Sequence, residues 1–171
     1  MKISILMLAA AFLLNAQTLK LPVNIEALSH LATETVDVTM DASMIRFAEK
    51  FLSEKDPDQV KTKRVLRGLN AIYVKTLEFA RSGSYSMSDL DAVREQLRGP
   101  GWSRMIQARE DDEHVEVYAR MQGGEMTGLL VLNAEPRELT IVHLDGTVRP
   151  EDLASLSGRV GLPKMRIGGI L

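Results

Sequence analysis

The chain has 171 residues, 45% of them hydrophobic, which is enough for one domain with a buried core. Its formal net charge is −2 and only 5% of its residues are aromatic, which argues against binding to nucleic acid or electrostatic attraction to an anionic membrane. The sequence contains no cysteine, which excludes a disulfide framework, thiolate metal sites, a cysteine nucleophile and the lipid-modified cysteine of a lipoprotein.

The N-terminal segment predicts export. Lys2 precedes an apolar run from Ile3 to Leu14, and small and polar residues follow it. This run is too short to cross a bilayer as a helix, but it fits the apolar region of a signal peptide. We therefore expect residues 1–17 to be a signal peptide and the mature chain to be periplasmic or secreted. The residues before the cleavage site fit the usual small-residue pattern poorly, so an uncleaved interfacial anchor is an alternative, as is a buried core helix.

The remaining pattern predicts one domain. Residues 18–35 form an N-terminal extension, residues 36–157 form a single domain, and residues 158–171 form an irregular tail. The tail has no periodicity, so it is either disordered or laid on the domain as an extended segment.

The domain begins with a predicted strand followed by a predicted helix. Val36, Val38 and Met40 alternate with polar residues, which indicates a half-buried strand. A helix follows, and either Asp41 or Ser43 caps its start by accepting a backbone N–H. Its apolar residues recur at helical spacing and predict one stripe, formed by Met44, Phe47, Ala48, Phe51 and Leu52.

Three more elements precede the C-terminal part. The segment VKTKRVLRG predicts a short helix that ends at Gly68, and LNAIYVKTLEF predicts a strand. The segment SDLDAVREQLRG predicts an amphipathic helix with a capping box formed by Ser88 and Asp91.

From Trp102 onward the pattern is that of β-strands. Four runs are separated by short polar connectors, which predicts an antiparallel meander. The second run alternates from Val115 to Met121, with Glu116, Tyr118 and Arg120 predicted to face water. The third run, GLLVLN, is apolar on both sides and predicts a central strand. Gly123 and Gly124 suit a tight hairpin with positive φ.

These elements indicate an α+β fold. We expect a mainly antiparallel sheet of five to six strands, including the four-strand meander, with the helices packed on one face. The segment RPEDLASL predicts a last short helix, with Pro150 in its first turn.

A family resemblance rests on three segments: TVDVTMDASMIRFAEKFL, LRGLNAIYVKTLEF, and the stretch from Trp102 to Leu156. Together they resemble the bacterial domain of unknown function 4252 family over about Val36 to Leu156. The resemblance implies an exported single-domain protein of Gram-negative-type bacteria with no established activity. Members are often encoded near envelope-signalling sigma factor genes, which implies an accessory role in stress signalling. It assigns no functional residues.

Two segments contain residues that could support chemistry. His143 and Asp145 lie two apart near the end of a strand, so they share a face and resemble half of a hydrolytic triad. No G-x-S-x-G motif supplies the serine, and the residues read more simply as a strand end and turn. The run from Glu110 to His114 has cation-binding residue types, but its spacing is typical of a solvated hairpin turn. We therefore predict no catalytic, cofactor or metal site.

The basic cluster comprises Lys61, Lys63, Arg64 and Arg67. In an acidic exported protein this cluster is more typical of a solvated helix face than of a nucleic-acid site. It is nevertheless a candidate docking surface for an acidic partner or for phospholipid headgroups.

Three functions follow from these observations, in decreasing order of support. The first is a non-enzymatic interaction or accessory module of the cell envelope, binding an envelope protein. The second is a periplasmic protein that binds a small apolar ligand or lipid, to which the 9 methionines would adapt. The third is a hydrolase that uses His143 and Asp145.

Overall fold

The computed structural model describes residues 22–149, which form a six-stranded antiparallel sheet with helices on both faces. The predicted α+β class is confirmed. The elements in chain order are α1 (Val23–Leu28), β1 (Glu34–Asp41), α2 (Ala42–Glu49), α3 (Pro57–Gly68), β2 (Leu69–Glu78), a 3₁₀ turn (Met87–Leu90), α4 (Asp91–Gln96), β3 (Trp102–Glu110), β4 (Glu113–Gln122), β5 (Glu125–Ala134) and β6 (Glu138–Gly146). The expected signal peptide, the helix RPEDLASL from Pro150 onward and the tail lie outside the described residues.

The strand order is β1-β2-β6-β5-β4-β3, and every neighbouring pair is antiparallel. The predicted meander is present as β3 to β6, with hairpins between consecutive strands. Gly123 and Gly124 both have positive φ, 60° and 84°, as expected for the tight turn between β4 and β5. The N-terminal strands join this meander through β2, which pairs with β6.

The two faces of the sheet carry separate cores, so the helices do not all lie on one face as expected. The first face is covered by α2 and α3, and its core includes Ile45, Val65, Ile72, Val117, Val131 and Val142. The second face is covered by α1 and α4, and its core includes Ile25, Phe79, Leu90, Val93, Leu130 and Ile141. The physical reason lies in β5 and β6, whose alternate residues are apolar on both sides and require cover on both sides.

The second face also changes the expectation for β4. Glu116 and Tyr118, predicted to face water, are only 1% and 7% exposed. They lie under α4, and Arg94 of that helix supplies a charge partner for Glu116. The polar residues Glu116 and Tyr118 of this alternating strand are therefore buried and hydrogen-bonded, and they do not face water.

The helix α1 lies within the segment expected to be an extension. Its Ile25 and Leu28 are buried against the second face. Further along, the capping box forms at Ser86 and Asp89 rather than at Ser88 and Asp91, so this helical segment starts earlier than predicted. None of the helices within residues 22–149 is long and apolar enough to cross a membrane.

The helix α2 starts directly from β1 and presents Ile45 to the sheet. Asp41, the last residue of β1, caps α2 by accepting a hydrogen bond from the Met44 N–H at 2.9 Å. No linker separates the strand from the helix, so the direction of β1 sets the rotation of α2. Ile45 is fully buried as a result, whereas Met44, Phe47 and Phe51 of the predicted stripe are exposed.

Candidate functional site

His143 and Asp145 project from β6 on the second face of the sheet, as their spacing predicted. His143 lies opposite Tyr73 of β2 and Leu130 of β5, and Asp145 lies opposite Gly128 of β5. The hydrogen bond of Asp145 goes to an arginine. Asp145 Oδ1 accepts a hydrogen bond from Arg120 Nη2 at 2.5 Å, and Arg120 reaches it across Gly128, where a side chain would crowd the arginine.

The imidazole of His143 is enclosed by ring and charge contacts. The ring of Trp102 lies 5.9 Å from it between centroids, and the Arg120 guanidinium lies 5.6 Å from the Trp102 centroid. Burial lowers the pKa of His143 to about 4, an effect that Asp145 opposes and Arg120 reinforces. Nε2 is buried without a hydrogen-bond partner among residues 22–149, and so is the hydroxyl of the neighbouring Tyr73. At neutral pH the histidine is therefore an uncharged part of a packed layer.

The low pKa of His143 predicts a pH-dependent stability. Between pH 6.5 and 4 the unfolded chain binds a proton at this residue and the folded chain does not, so lowering the pH favours unfolding. We expect the loss of unfolding free energy from pH 7 to pH 5 to be about 1–2 kcal/mol greater in the wild type than in His143→Phe. Urea denaturation at both pH values measures this, and an NMR titration midpoint of His143 above 6 would contradict it.

Glu116 is the centre of a second polar group on the same face. Its carboxylate accepts hydrogen bonds from Arg94 Nη2 at 2.6 Å and the Tyr118 hydroxyl at 2.6 Å, and it lies 2.8 Å from His114 Nε2. Burial alone would raise the pKa of Glu116, but these hydrogen bonds hold it at about 2. Arg94 also donates to the carbonyl oxygen of Met87 at 3.0 Å. The group fastens α4 to the sheet.

The acidic run ending at His114 forms a hairpin turn. Asp111 and Asp112 connect β3 to β4, and Asp111 has a positive φ of 49°. His114 Nε2 lies 2.8 Å from the Glu116 carboxylate. Within residues 22–149, no three His, Asp or Glu side chains come close enough to hold a metal ion.

The basic cluster lies on α3, and most of its charges have acidic neighbours. Lys63 Nζ lies 2.8 Å from Glu54, Lys61 lies 3.8 Å from Asp58, and Arg67 lies 3.9 Å from Glu49. Arg64 is exposed. Because local acids offset three of the four cations, the cluster is a weaker attractor for an acidic partner than its sequence suggested.

Two open cavities adjoin the turn between β5 and β6. One, of about 320 Å³, is lined by Tyr85, Met87 and Asp112 among others, and the second, of about 400 Å³, is lined by Glu78 and Arg137 among others; both include Glu135 and Pro136. Their lining mixes charged and apolar residues. A closed apolar cavity would have favoured binding of a lipid, and these open clefts do not have that form.

The exposed apolar side chains of α2 and its C-terminal turn form a distinct surface, which we call the α2 surface: Met44, Phe47 and Phe51. Their exposed fractions are 51%, 61% and 73%. The two phenylalanine rings pack edge to face, 5.1 Å apart between centroids. The sequence grouped these three residues into one stripe, together with Ala48 and Leu52, and the structure leaves the three of them exposed. Ile45, on another side of the helix, is fully buried in their place.

Comparisons with known proteins give one match. The family model described as Domain of unknown function (DUF4252) matches residues 31–156, which extends slightly beyond the resemblance noted in the sequence. No curated protein and no solved structure matches.

Proposed function

The chain belongs to the family Domain of unknown function (DUF4252), and from this premise we propose that it is a non-enzymatic binding module of the bacterial cell envelope. The observation that carries the proposal is the α2 surface. It would bind another envelope protein, which contributes a complementary apolar groove.

The chemistry of the α2 surface supports protein binding. Methionine and phenylalanine side chains that stay in water on one face of a short helix expose apolar area that a partner can bury. Aromatic residues and methionine are also enriched at the centres of protein interfaces. The contact between Phe47 and Phe51 holds the rings in place before binding, which lowers the entropy lost on association. The exposed Lys50 directly precedes Phe51 in the chain and favours a partner with an acidic rim.

The assignment of a non-enzymatic role rests on what the polar groups of the second face already do. Glu116 is held by Arg94, and Asp145 is held by Arg120. His143 is 4% exposed and has its pKa lowered, so it meets substrate only if the layer opens. These contacts support a structural role for each group.

The envelope location rests on Lys2 and the apolar run from Ile3 to Leu14. Cell fractionation followed by intact-mass measurement tests it. We expect the protein in the periplasm or the medium without residues 1–17. A cytosolic protein that retains Met1 to Ala16 would refute export.

Site-specific photo-crosslinking in intact cells tests the binding function. A photoreactive phenylalanine analogue at Phe51 is expected to give a discrete adduct with another envelope protein. The same analogue at Met105 is the matched control, because Met105 is also exposed, at 54%, but lies on β3 at the opposite edge of the sheet. Equal adducts at both positions, or no adduct at Phe51, would contradict the proposal.

The same surface predicts a separation of binding from stability. Phe47→Ser is expected to lower the free energy of unfolding by no more than about 1.5 kcal/mol, the value of its ring contact with Phe51, because the side chain is 61% exposed, yet to abolish the Phe51 adduct. Ile45→Ser, two residues earlier and on the buried side of α2, is expected to cost about 2–5 kcal/mol. Denaturant titration of both variants measures this. A Phe47→Ser variant as unstable as Ile45→Ser would show that the surface belongs to the core.

A further inference from the structure

We propose that two copies of the chain associate by pairing their β1 strands antiparallel about a two-fold axis at Val38, joining two six-stranded sheets into one continuous sheet. This inference goes beyond the proposed binding function. It uses the backbone edge of β1 and holds even if the α2 surface binds nothing.

The edge of β1 is open along the strand. β1 is the first strand of the sheet order, so one side of it has no neighbouring strand among the described residues. Seven of its residues are exposed, and Met40 is half-buried. Val36 and Val38 are 42% and 37% exposed, although both side chains lie on the first face with the apolar residues of β2. An exposed strand edge of this kind is a ready template for another strand.

The hydrogen-bonding direction of β1 follows from its neighbour. The Phe79 N–H donates to the Arg137 carbonyl oxygen at 2.8 Å, which continues the β2–β6 ladder by one pair. The backbone N–H and C=O groups of odd-numbered β2 residues therefore form hydrogen bonds with β6, and those of even-numbered β2 residues form hydrogen bonds with β1. Since even residues of β2 pair with even residues of β1, the N–H and C=O groups of Thr35, Asp37 and Thr39 point to the open edge.

The opposite edge of the sheet is protected by its local structure. The register of β3 with β4 shifts between Arg104 and Ile106, which marks a bulge at Met105. β3 also carries the charged residues Arg109 and Glu110. The register of β1 with β2, in contrast, runs from Glu34 to Asp41 without a shift. Bulges and charges are devices that discourage edge pairing, and only β3 shows the bulge.

The side chains of β1 are self-complementary in one register. With Val38 on the two-fold axis, Val36 lies opposite Met40 of the second copy and Asp37 lies opposite Thr39 of the second copy. Apolar residues then meet on one face and polar residues on the other. Moving the axis to Asp37 would oppose two copies of that aspartate, and moving it to Thr39 would oppose Asp37 and Asp41. Like charges directly opposite are destabilising, so charge favours an axis at Val38 over one at Asp37 or Thr39.

Lys75 removes the remaining electrostatic obstacle. Its Nζ lies 2.8 Å from Asp37 Oδ2 and 3.5 Å from Glu26 Oε2, and its own side chain is 5% exposed. The lysine partly neutralises Asp37 and draws the carboxylate over β2, away from the open edge. The backbone groups of Asp37 are left free to pair with those of Thr39 in the second copy.

Cysteine crosslinking tests the register directly, because the chain has no cysteine of its own. Val38 would face Val38 of the second copy as a non-hydrogen-bonded pair, with Cα atoms about 4.5 Å apart. This distance suits a disulfide. In the full chain, Val38→Cys is expected to oxidise to a dimer at least about tenfold faster than Met105→Cys, which reports random collision. Val36→Cys and Met40→Cys are expected to crosslink rapidly only when mixed.

Sedimentation velocity supplies the second measurement. The wild type is expected to shift from monomer to dimer as its concentration rises, and Val38→Lys to remain monomeric while unfolding at the same denaturant concentration as the wild type. A wild type that is monomeric throughout, or equal disulfide rates at Val38 and Met105, would overturn the proposal. Photo-crosslinking at Phe51 reports on the binding function separately, so either idea can fail alone.

Discussion

Replacing Glu116 by alanine is expected to lower the free energy of unfolding by about 3–5 kcal/mol. Glu116 is 1% exposed and receives hydrogen bonds from Arg94 and Tyr118. Its removal leaves the arginine without its buried partner, although Asp91 retains one contact at 2.8 Å. Removing one partner of a buried ion pair leaves the other charge buried and uncompensated. This costs more free energy than the intact pair contributes, so the substitution is predicted to be severe.

Chemical denaturation at neutral pH measures the effect, with Glu110→Ala as the control. Glu110 is an exposed acid at the end of β3, so its replacement is expected to change stability by less than about 0.5 kcal/mol. The pKa of Glu116, about 2 against an ordinary 4.5, adds a pH signature. Its stabilisation is present above pH 4.5 and is lost as the pH falls towards 2, so Glu116→Ala should lack this part of acid unfolding. A loss below 1 kcal/mol would contradict the prediction.

Gly146→Ala is the second substitution with a large expected effect. Gly146 has a φ of 127°, and a Cβ there would lie 2.7 Å from Leu69 Cα, 2.9 Å from Asn70 N and closer still to the Gly68 carbonyl oxygen. These are backbone atoms, so the contact is not relieved by a side-chain rotation. Strain at positive φ and overpacking each cost about 1–3 kcal/mol, so the sum is about 2–6 kcal/mol.

Gly124→Ala separates the two causes. Gly124 also has positive φ, 84°, but in the described part of the chain a Cβ there meets no atom within 4 Å. Denaturant titration should show a cost of about 1 kcal/mol for Gly124→Ala and at least twice that for Gly146→Ala. If Gly146→Ala does not accumulate as folded protein, Gly68→Ala provides the measurement, because it has no positive φ yet meets the backbone of Thr147. If Gly124→Ala and Gly146→Ala lowered the free energy of unfolding equally, the predicted clash of a Cβ at Gly146 with the backbone would be refuted.

The strands were predictable because each carries its own signal. Alternation at Val36 and Val38, and the doubly apolar run from Gly128 to Asn133, are properties of a few consecutive residues, and β1 and β5 lie where these patterns indicated. The paired positive φ values at Gly123 and Gly124 follow from local turn chemistry in the same way. Such features need no information about distant parts of the chain.

The face that a short helix buries depends on its surroundings, so helical spacing alone does not predict it. The stripe of Met44, Phe47 and Phe51 has a helical period, but Asp41 joins α2 to β1 so tightly that Ile45 takes the core position. The sequence allows either the stripe or the side of Ile45 to be buried, and only the placement of β1 decides between these two faces. The α2 surface, on which the proposed function depends, could not be derived from periodicity alone.

The polar sites show the same limit. The spacing of His143 and Asp145 correctly placed them on one face, but the choice of Arg120 as the partner of Asp145 comes from strand pairing across Gly128. Glu116 resembled a solvated residue because Arg94, its partner, is separated from it by 22 residues in the sequence. Partners brought together by sheet topology leave no local signal.

The position of β6 between β2 and β5 also constrains the order of folding. β3, β4 and β5 each pair with the next strand in the sequence across a short turn. β2, in contrast, pairs on its inner edge with β6, which begins only at Glu138. Contacts between distant segments close slowly, because the loss of chain entropy precedes the gain in contacts. On a ribosome, the β1–β2 pair would emerge early and stay without its inner neighbour until nearly the whole domain had been synthesised. During that interval the edge of β2 that later pairs with β6 remains accessible to chaperones.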